Sequence, residues 1–214
     1  MTASAPPKKP VRDPASYESR LDAWMKRRRP ELDGLRVQDV DAPTATGFSN
    51  ETVFFSIRYE ASGATRSQRL VARIEPQDGG LFPVQTPACE VSVGLQHRIM
   101  SVIERSGAAP VPPMLPYEPD PEVLGSPFFA MEFVDGVIPA DVPRYSQAGF
   151  LVDEATPAQR EAMVRDGIEK MAAINKLNWR QAGLDWLDVR GRGTLSEIDG
   201  RPSAYLVLAL ELRP

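Results

Sequence analysis

Only one histidine, His97, and one cysteine, Cys89, occur among the 214 residues of this chain. A single histidine excludes a polyhistidine metal centre and any mechanism that pairs two imidazoles. Cys89 and His97 could share a helix two turns apart, yet two ligands do not close a zinc site. The lone cysteine excludes an intrachain disulfide and fits a reducing compartment. No apolar run approaches the roughly 18 residues of a membrane helix, and the proline-rich, lysine-bearing start lacks the apolar centre of a signal peptide. The expectation is a soluble, cytoplasmic protein with no membrane partner. Positive charge is not in excess: a net charge of -4 gives no electrostatic footprint for nucleic acid, and the short basic run Lys26 to Arg29 reads as a solvated helix end.

What is present falls into a clear order. Residues 1–12 carry prolines and basic residues without an apolar period, the composition of a disordered arm. Asp13-Pro14 opens a helix with Asp as N-cap; Tyr17, Leu21, Trp24 and Met25 make one apolar stripe, and Pro30 stops it. Leu35 to Val40 is a weak strand, Thr44 to Asn50 a turn of small and polar residues, and Thr52 to Tyr59 a strong β-branched and aromatic strand. A hairpin centred on Ser62-Gly63 returns the chain through Arg69 to Ile74, a strand with a cation, Arg73, near its buried end. Successive strands without crossover helices imply an antiparallel sheet.

Thr86-Pro87 predicts the start of a helix that carries Glu90, Gln96 and His97, runs to about Arg105 and is closed by Gly107. Two short strands, Met114 to Tyr117 and Phe128 to Val134, flank the turn-forming residues 118–125. Thr156-Pro157-Ala158-Gln159 is a capping box. It opens a helix to about Leu177 whose Met163, Val164, Ile168, Met171 and Ile174 can cover one side of a core but cannot enclose one. The apolar run Tyr205 to Leu210 has no later partner in the chain.

The stretch Pro127 to Gly136 reads as a buried strand ending at a sharp turn, between a sheet-forming part and a helical part. It is either an ordinary core strand or a crossing point whose last backbone amide and carbonyl face a cleft and read the edge of a flat ligand. Three further features stand in one order: a Gly/Ser/Asn turn between the first strands, a cation at the end of the third, and acidic and amide side chains on the next helix. A glycine turn lets backbone amides approach an anion, a strand-borne cation neutralises phosphate, and a helix-borne partner holds that cation. Each has a plain structural alternative: a hairpin turn, a salt-bridged arginine, a solvated helix face.

Together, Gly47-Phe48-Ser49-Asn50-Glu51-Thr52, Leu70-Val-Ala-Arg-Ile74, Gln96-His-Arg-Ile-Met100, Pro110-Val-Pro112, Tyr117-Glu-Pro-Asp-Pro121, Phe128-Phe-Ala-Met-Glu-Phe-Val-Asp-Gly136 and Met171-Ala-Ala-Ile-Asn175 resemble the aminoglycoside phosphotransferase family. These are small-molecule kinases with a protein-kinase-like fold; the resemblance is closest to the branch often encoded beside, or fused to, acyl-CoA dehydrogenases. It implies an α+β fold: an N-lobe of a five-stranded antiparallel sheet plus one long helix, then an incomplete helical C-lobe. The corresponding division is a disordered arm at 1–12, an N-terminal helix and nucleotide-binding lobe with hinge at 13–134, and a partial C-lobe at 135–214.

The resemblance further implies ATP, with Mg2+ in the full-length family, and a small-molecule acceptor that the sequence does not identify. Gly47, Ser49 and Asn50 would lie over the nucleotide phosphates, and Arg73 would stand where many relatives use lysine. Gln96 would occupy the place of the helix glutamate that pairs with that cation, Glu90 serving only if the helix shifts register. At the hinge, the Glu132 carbonyl and Val134 amide would contact adenine, with Met131 behind the pocket. The family's His-x-Asp catalytic loop and metal-binding aspartate have no counterpart: the sole histidine lies upstream, and Asn175 stands where a histidine is usual. No catalytic or metal-binding residue is therefore assigned, and an N-terminal portion inactive alone is expected. The alternative is a pseudokinase-like nucleotide- or partner-binding module that docks a protein on its exposed C-lobe face.

Overall fold

In the computed structural model the described residues are 13–43, 50–76, 92–139 and 143–187. They fall in two compact units, Met1–Lys176 and Leu177–Pro214. In the first, a 3-10 turn at Pro14–Ser16 leads into α1 (Tyr17–Arg28), followed by β1 (Asp33–Asp41), β2 (Glu51–Ala61), β3 (Ala64–Ile74), α2 (Val93–Ser106), β4 (Phe128–Glu132), the short α3 (Phe150–Asp153) and α4 (Pro157–Asn175). In the second, Arg180 stacks on its neighbour Trp179 at 3.9 Å, and Trp186 Nε1 donates to the Gly183 carbonyl at 2.9 Å.

Strands β1 to β4 form one antiparallel sheet in sequence order. The β2–β3 hairpin turns at Ser62 and Gly63, both at positive φ (53° and 74°), a two-residue turn whose twist matches the strands. Alternation along β2 and β3 divides the sheet into two faces. Val53, Phe55 and Ile57 of β2, with Leu70, Ala72 and Ile74 of β3, are buried with the α1 residues Tyr17, Leu21, Trp24 and Met25 in one core. The apolar stripe of the first helix thus covers one side of the sheet, as its spacing predicts.

The expected fifth strand is a correction. Met114 and Glu118 make only isolated bridges, to Met131 and Phe128. Backbone bonds run from Leu115 N to Ala130 O, from Glu132 N to Pro113 O, and both ways between Glu118 and Phe128. Pro112, Pro113 and Pro116 have no amide hydrogens, so this segment cannot donate a continuous ladder. The described start of α2 also differs from the expected Thr86-Pro87, which lies outside the described residues. Ser92 is its N-cap, accepting from Leu95 N at 3.1 Å, while Gly107 closes it at φ 66° as predicted.

α4 begins at the predicted capping box, with Thr156 N donating to Gln159 Oε1 at 2.8 Å and Gln159 N to Thr156 Oγ1 at 3.3 Å. Its apolar stripe could cover one side of a core. Instead Val164, Ile168 and Met171 are 57%, 60% and 63% exposed, and no α4 residue is buried.

Several polar contacts fasten α1 to the rest of its unit: Tyr17 Oη donates to Glu51 Oε1 at 2.9 Å, Val37 N donates to Asp22 Oδ1 at 3.0 Å, and Glu118 joins two further α1 side chains. Trp24 Nε1 and Arg28 Nη2 both donate to Glu118 Oε2, at 2.9 and 2.7 Å, and Asp120 N donates to Glu118 Oε1 at 3.2 Å. Burial, the largest single influence, pushes the Glu118 pKa up. The bonds from Arg28, Asp120 and Trp24 together outweigh it and hold the carboxyl below its ordinary 4.5. A depressed folded-state pKa contributes stability that is present above the unfolded value and is lost as pH falls through the folded one. Glu118→Ala strands an indole N–H and a guanidinium, so urea unfolding should show a loss of about 2–4 kcal/mol. In Glu118→Gln, the decline of stability with acidification below 4.5 should be shallower than in the wild type.

Candidate functional site

The second face of the sheet is built differently. Partners across the strands form three rows: Thr52–Arg73–Phe129, Asp41–Phe54–Val71–Met131, and Gln38–Ser56–Arg69. The third row ends at Phe133, whose amide donates to the Arg69 carbonyl at 2.9 Å and whose ring lies 3.7 Å below the Arg69 guanidinium. α2 crosses the first row, where the His97 ring meets Phe129 edge-on at 5.3 Å.

Arg73 is the unusual member of this face. Its Nη1 donates to Thr52 Oγ1 at 3.1 Å, while its buried Nε has no hydrogen-bond partner. Burial draws its pKa below the ordinary arginine value, although a guanidinium remains charged in proteins. Among the described residues it has no salt-bridged carboxylate. Gln96, expected to hold it, instead accepts from Asn50 Nδ2 at 3.4 Å. The amide therefore links α2 to the residue before β2, and among the described residues the arginine has no helix-borne partner. Glu90, Gly47 and Ser49 lie outside the described residues.

Met131 is half-buried and pairs with Val71 on the Arg73 face. Glu132 turns its side chain to Gln68, whose Nε2 donates to it at 2.6 Å, and its amide donates to the Pro113 carbonyl at 2.9 Å. The segment running beside β4 thus stops pairing at Pro113, one residue short of the crossing. Val134 is exposed, and its amide has no hydrogen bond among the described residues. The structure thus brings Arg73 and Met131 to one face and leaves a backbone donor at the end of that face.

Sequence reasoning did not single out Thr52, Phe54, Arg69 or Phe133. Asp39, Asp41, Phe54, Phe55, Ser56, Arg69, Leu70 and Phe133 line a cavity of about 510 Å3. The period-2 pattern would have placed Thr52, Phe54 and Arg69 with Arg73, because all four alternate with the apolar core positions. His97, by contrast, is structural: Nε2 lies 3.1 Å from the Leu115 carbonyl, which can only accept, so that nitrogen carries the proton.

The profile of the phosphotransferase enzyme family (APH) matches residues 42–212. The chain belongs to that family. A solved structure of a candidate aminoglycoside phosphotransferase from Ralstonia eutropha JMP134 is similar at 22% identity and a TM-score of 0.48, over 78% of this chain and 40% of that one. The chain therefore spans about 40% of the length of that relative. Among the described residues of this family member, no group of three or more His, Cys, Asp or Glu side chains could hold a metal ion.

An unpaired, half-buried cation destabilises the fold unless an anion reaches it. Arg73→Met should therefore raise the stability of the ligand-free chain, by about 1–2 kcal/mol in urea. Inorganic tripolyphosphate should raise the thermal midpoint of the wild type and leave that of Arg73→Met unchanged.

Proposed function

We propose that this chain supplies the ATP-binding part of a phosphotransferase that phosphorylates a hydroxyl of a small molecule. The observation that carries the reading is Arg73, half-buried with its Nε unpartnered and, among the described residues, no carboxylate paired with it. In this reading a phosphate supplies the missing counter-charge, and a guanidinium fork matches two of its oxygens. The turn bearing Gly47, Ser49 and Asn50 covers the phosphates with backbone amides. The Val134 amide and Glu132 carbonyl take the edge of adenine, and Met131 closes the back of its pocket.

Phosphoryl transfer depends on groups that orient the acceptor and neutralise developing charge. The sequence contains no His-x-Asp motif, so the isolated chain binds nucleotide weakly and does not turn it over. Calorimetric titration with MgATP should show weak binding that falls about tenfold or more in Arg73→Met, and a phosphate-release assay should stay at background. Magnesium-dependent turnover by the purified chain, or ATP binding indifferent to Arg73, contradicts the proposal.

The exposed apolar residues of α4 favour a second reading, a non-catalytic module that docks a protein partner. Light scattering after size-exclusion chromatography addresses it. A well-behaved monomer counts against that reading.

A further inference from the structure

We propose that the cavity between β1 and the end of β4 takes the nucleoside half of the ligand, and that Asp41 accepts hydrogen bonds from its sugar hydroxyls. The proposal rests on the nucleotide reading above and adds to it a sugar-reading residue on the first strand.

The cavity lies along the same sheet face as Arg73, beside the middle of β3. Arg69 and Arg73 are four positions apart, roughly 13 Å in an extended strand. That span suits a ligand with phosphates at one end and a flat ring at the other. Phe54 and Phe133 meet edge to face there, with ring centres 5.9 Å apart at 68° and the Arg69 guanidinium over one face of Phe133, so a nucleobase packs against this aromatic wall rather than between the two rings.

The polar lining selects donors rather than anions. Arg69 is already engaged, stacked on Phe133 and paired with Asp135 at 2.9 Å. Asp39 accepts from Gln38 Nε2 at 3.0 Å. The Asp41 carboxylate has no hydrogen-bond partner among the described residues, and it stands directly across from Phe54. An ionised carboxylate is an acceptor only, so it repels phosphate and matches a pair of hydroxyls. Between Gln38 and Asp41 the pairing of β1 with β2 shifts register, with Asp39 at φ 55°. Such a bulge re-aims the residues that follow it, here bringing Asp39 and Asp41 to the lining of one cavity.

The test compares ATP with 2',3'-dideoxy-ATP on the 214-residue chain by calorimetric titration, with and without Asp41→Ala. The wild type should bind ATP about tenfold more tightly than the dideoxy compound, the size expected for hydrogen bonds to a charged acceptor. Asp41→Ala should bind both at the weaker level, and Asp41→Glu should recover part of the preference. Because Asp41 is exposed, the thermal midpoints of the ligand-free variants should match the wild type. Equal binding of the two nucleotides by the wild type, or a preference that survives in Asp41→Ala, overturns the sugar assignment while leaving nucleotide binding intact. Failure of both to bind overturns the nucleotide reading and this proposal with it.

Discussion

The register of β2 against β3 is the constraint on which the other features depend. Pairing of Thr52 with Arg73, Phe54 with Val71 and Ser56 with Arg69 fixes which side of the sheet each residue takes. A slip of one residue would turn Arg73 into the core and bring Ala72 out to the cleft. The register is secured from one side by burial of Val53, Phe55, Ile57, Leu70, Ala72 and Ile74 against α1, and at the tip by the tight Ser62-Gly63 turn. The apolar half of each strand thus determines where the polar half points. α1, tied through Trp24 and Arg28 to Glu118, supports the site from behind, in one core with Phe55 and Leu70, which also line the cavity.

Arg73 illustrates how the polar face departs from what stability alone would select. A cation at that depth is ordinarily matched with a carboxylate, because desolvation disfavours the charged form. Here Thr52 provides one neutral acceptor, and the neighbouring helix offers Gln96, which is occupied with Asn50. A glutamate in place of Gln96 would neutralise the arginine in advance and reduce its attraction for an anionic ligand. Gln96, as a neutral amide, cancels none of the arginine's charge. The cost falls on the unliganded fold, which is where such a cost is expected at a functional site.

Much of the scaffold is legible from local pattern. The stripe Tyr17, Leu21, Trp24 and Met25, the β-branched and aromatic run in β2, and Gly107 beyond α2 each carry their own physical signal, and each is found as read. The Asp13-Pro14 start is also found, though it caps a 3-10 turn before the helix proper. What failed depends on longer range. Residues 114–117 look like a strand, but flanking prolines leave too few amides for a ladder, so pairing survives only at Met114 and Glu118. The α4 stripe has helical periodicity, yet periodicity does not say what lies opposite, and those side chains are exposed. Within the site, a lone Arg73 invited pairing with Gln96, whereas the nearest acceptor sits across the strand at Thr52. The cavity walls, Phe54 and Phe133, come from segments far apart in sequence and were hidden among ordinary strand residues.

A crystal structure of the chain with a non-hydrolysable ATP analogue tests the central claim most directly, because it locates the ligand against both ends of the sheet face. The account predicts phosphate oxygens at about 3 Å from the Arg73 guanidinium, with the base in the cavity lined by Phe54 and Phe133. A ligand bound elsewhere, or an Arg73 that pairs with a carboxylate of the chain while the phosphates stay in solvent, would contradict it.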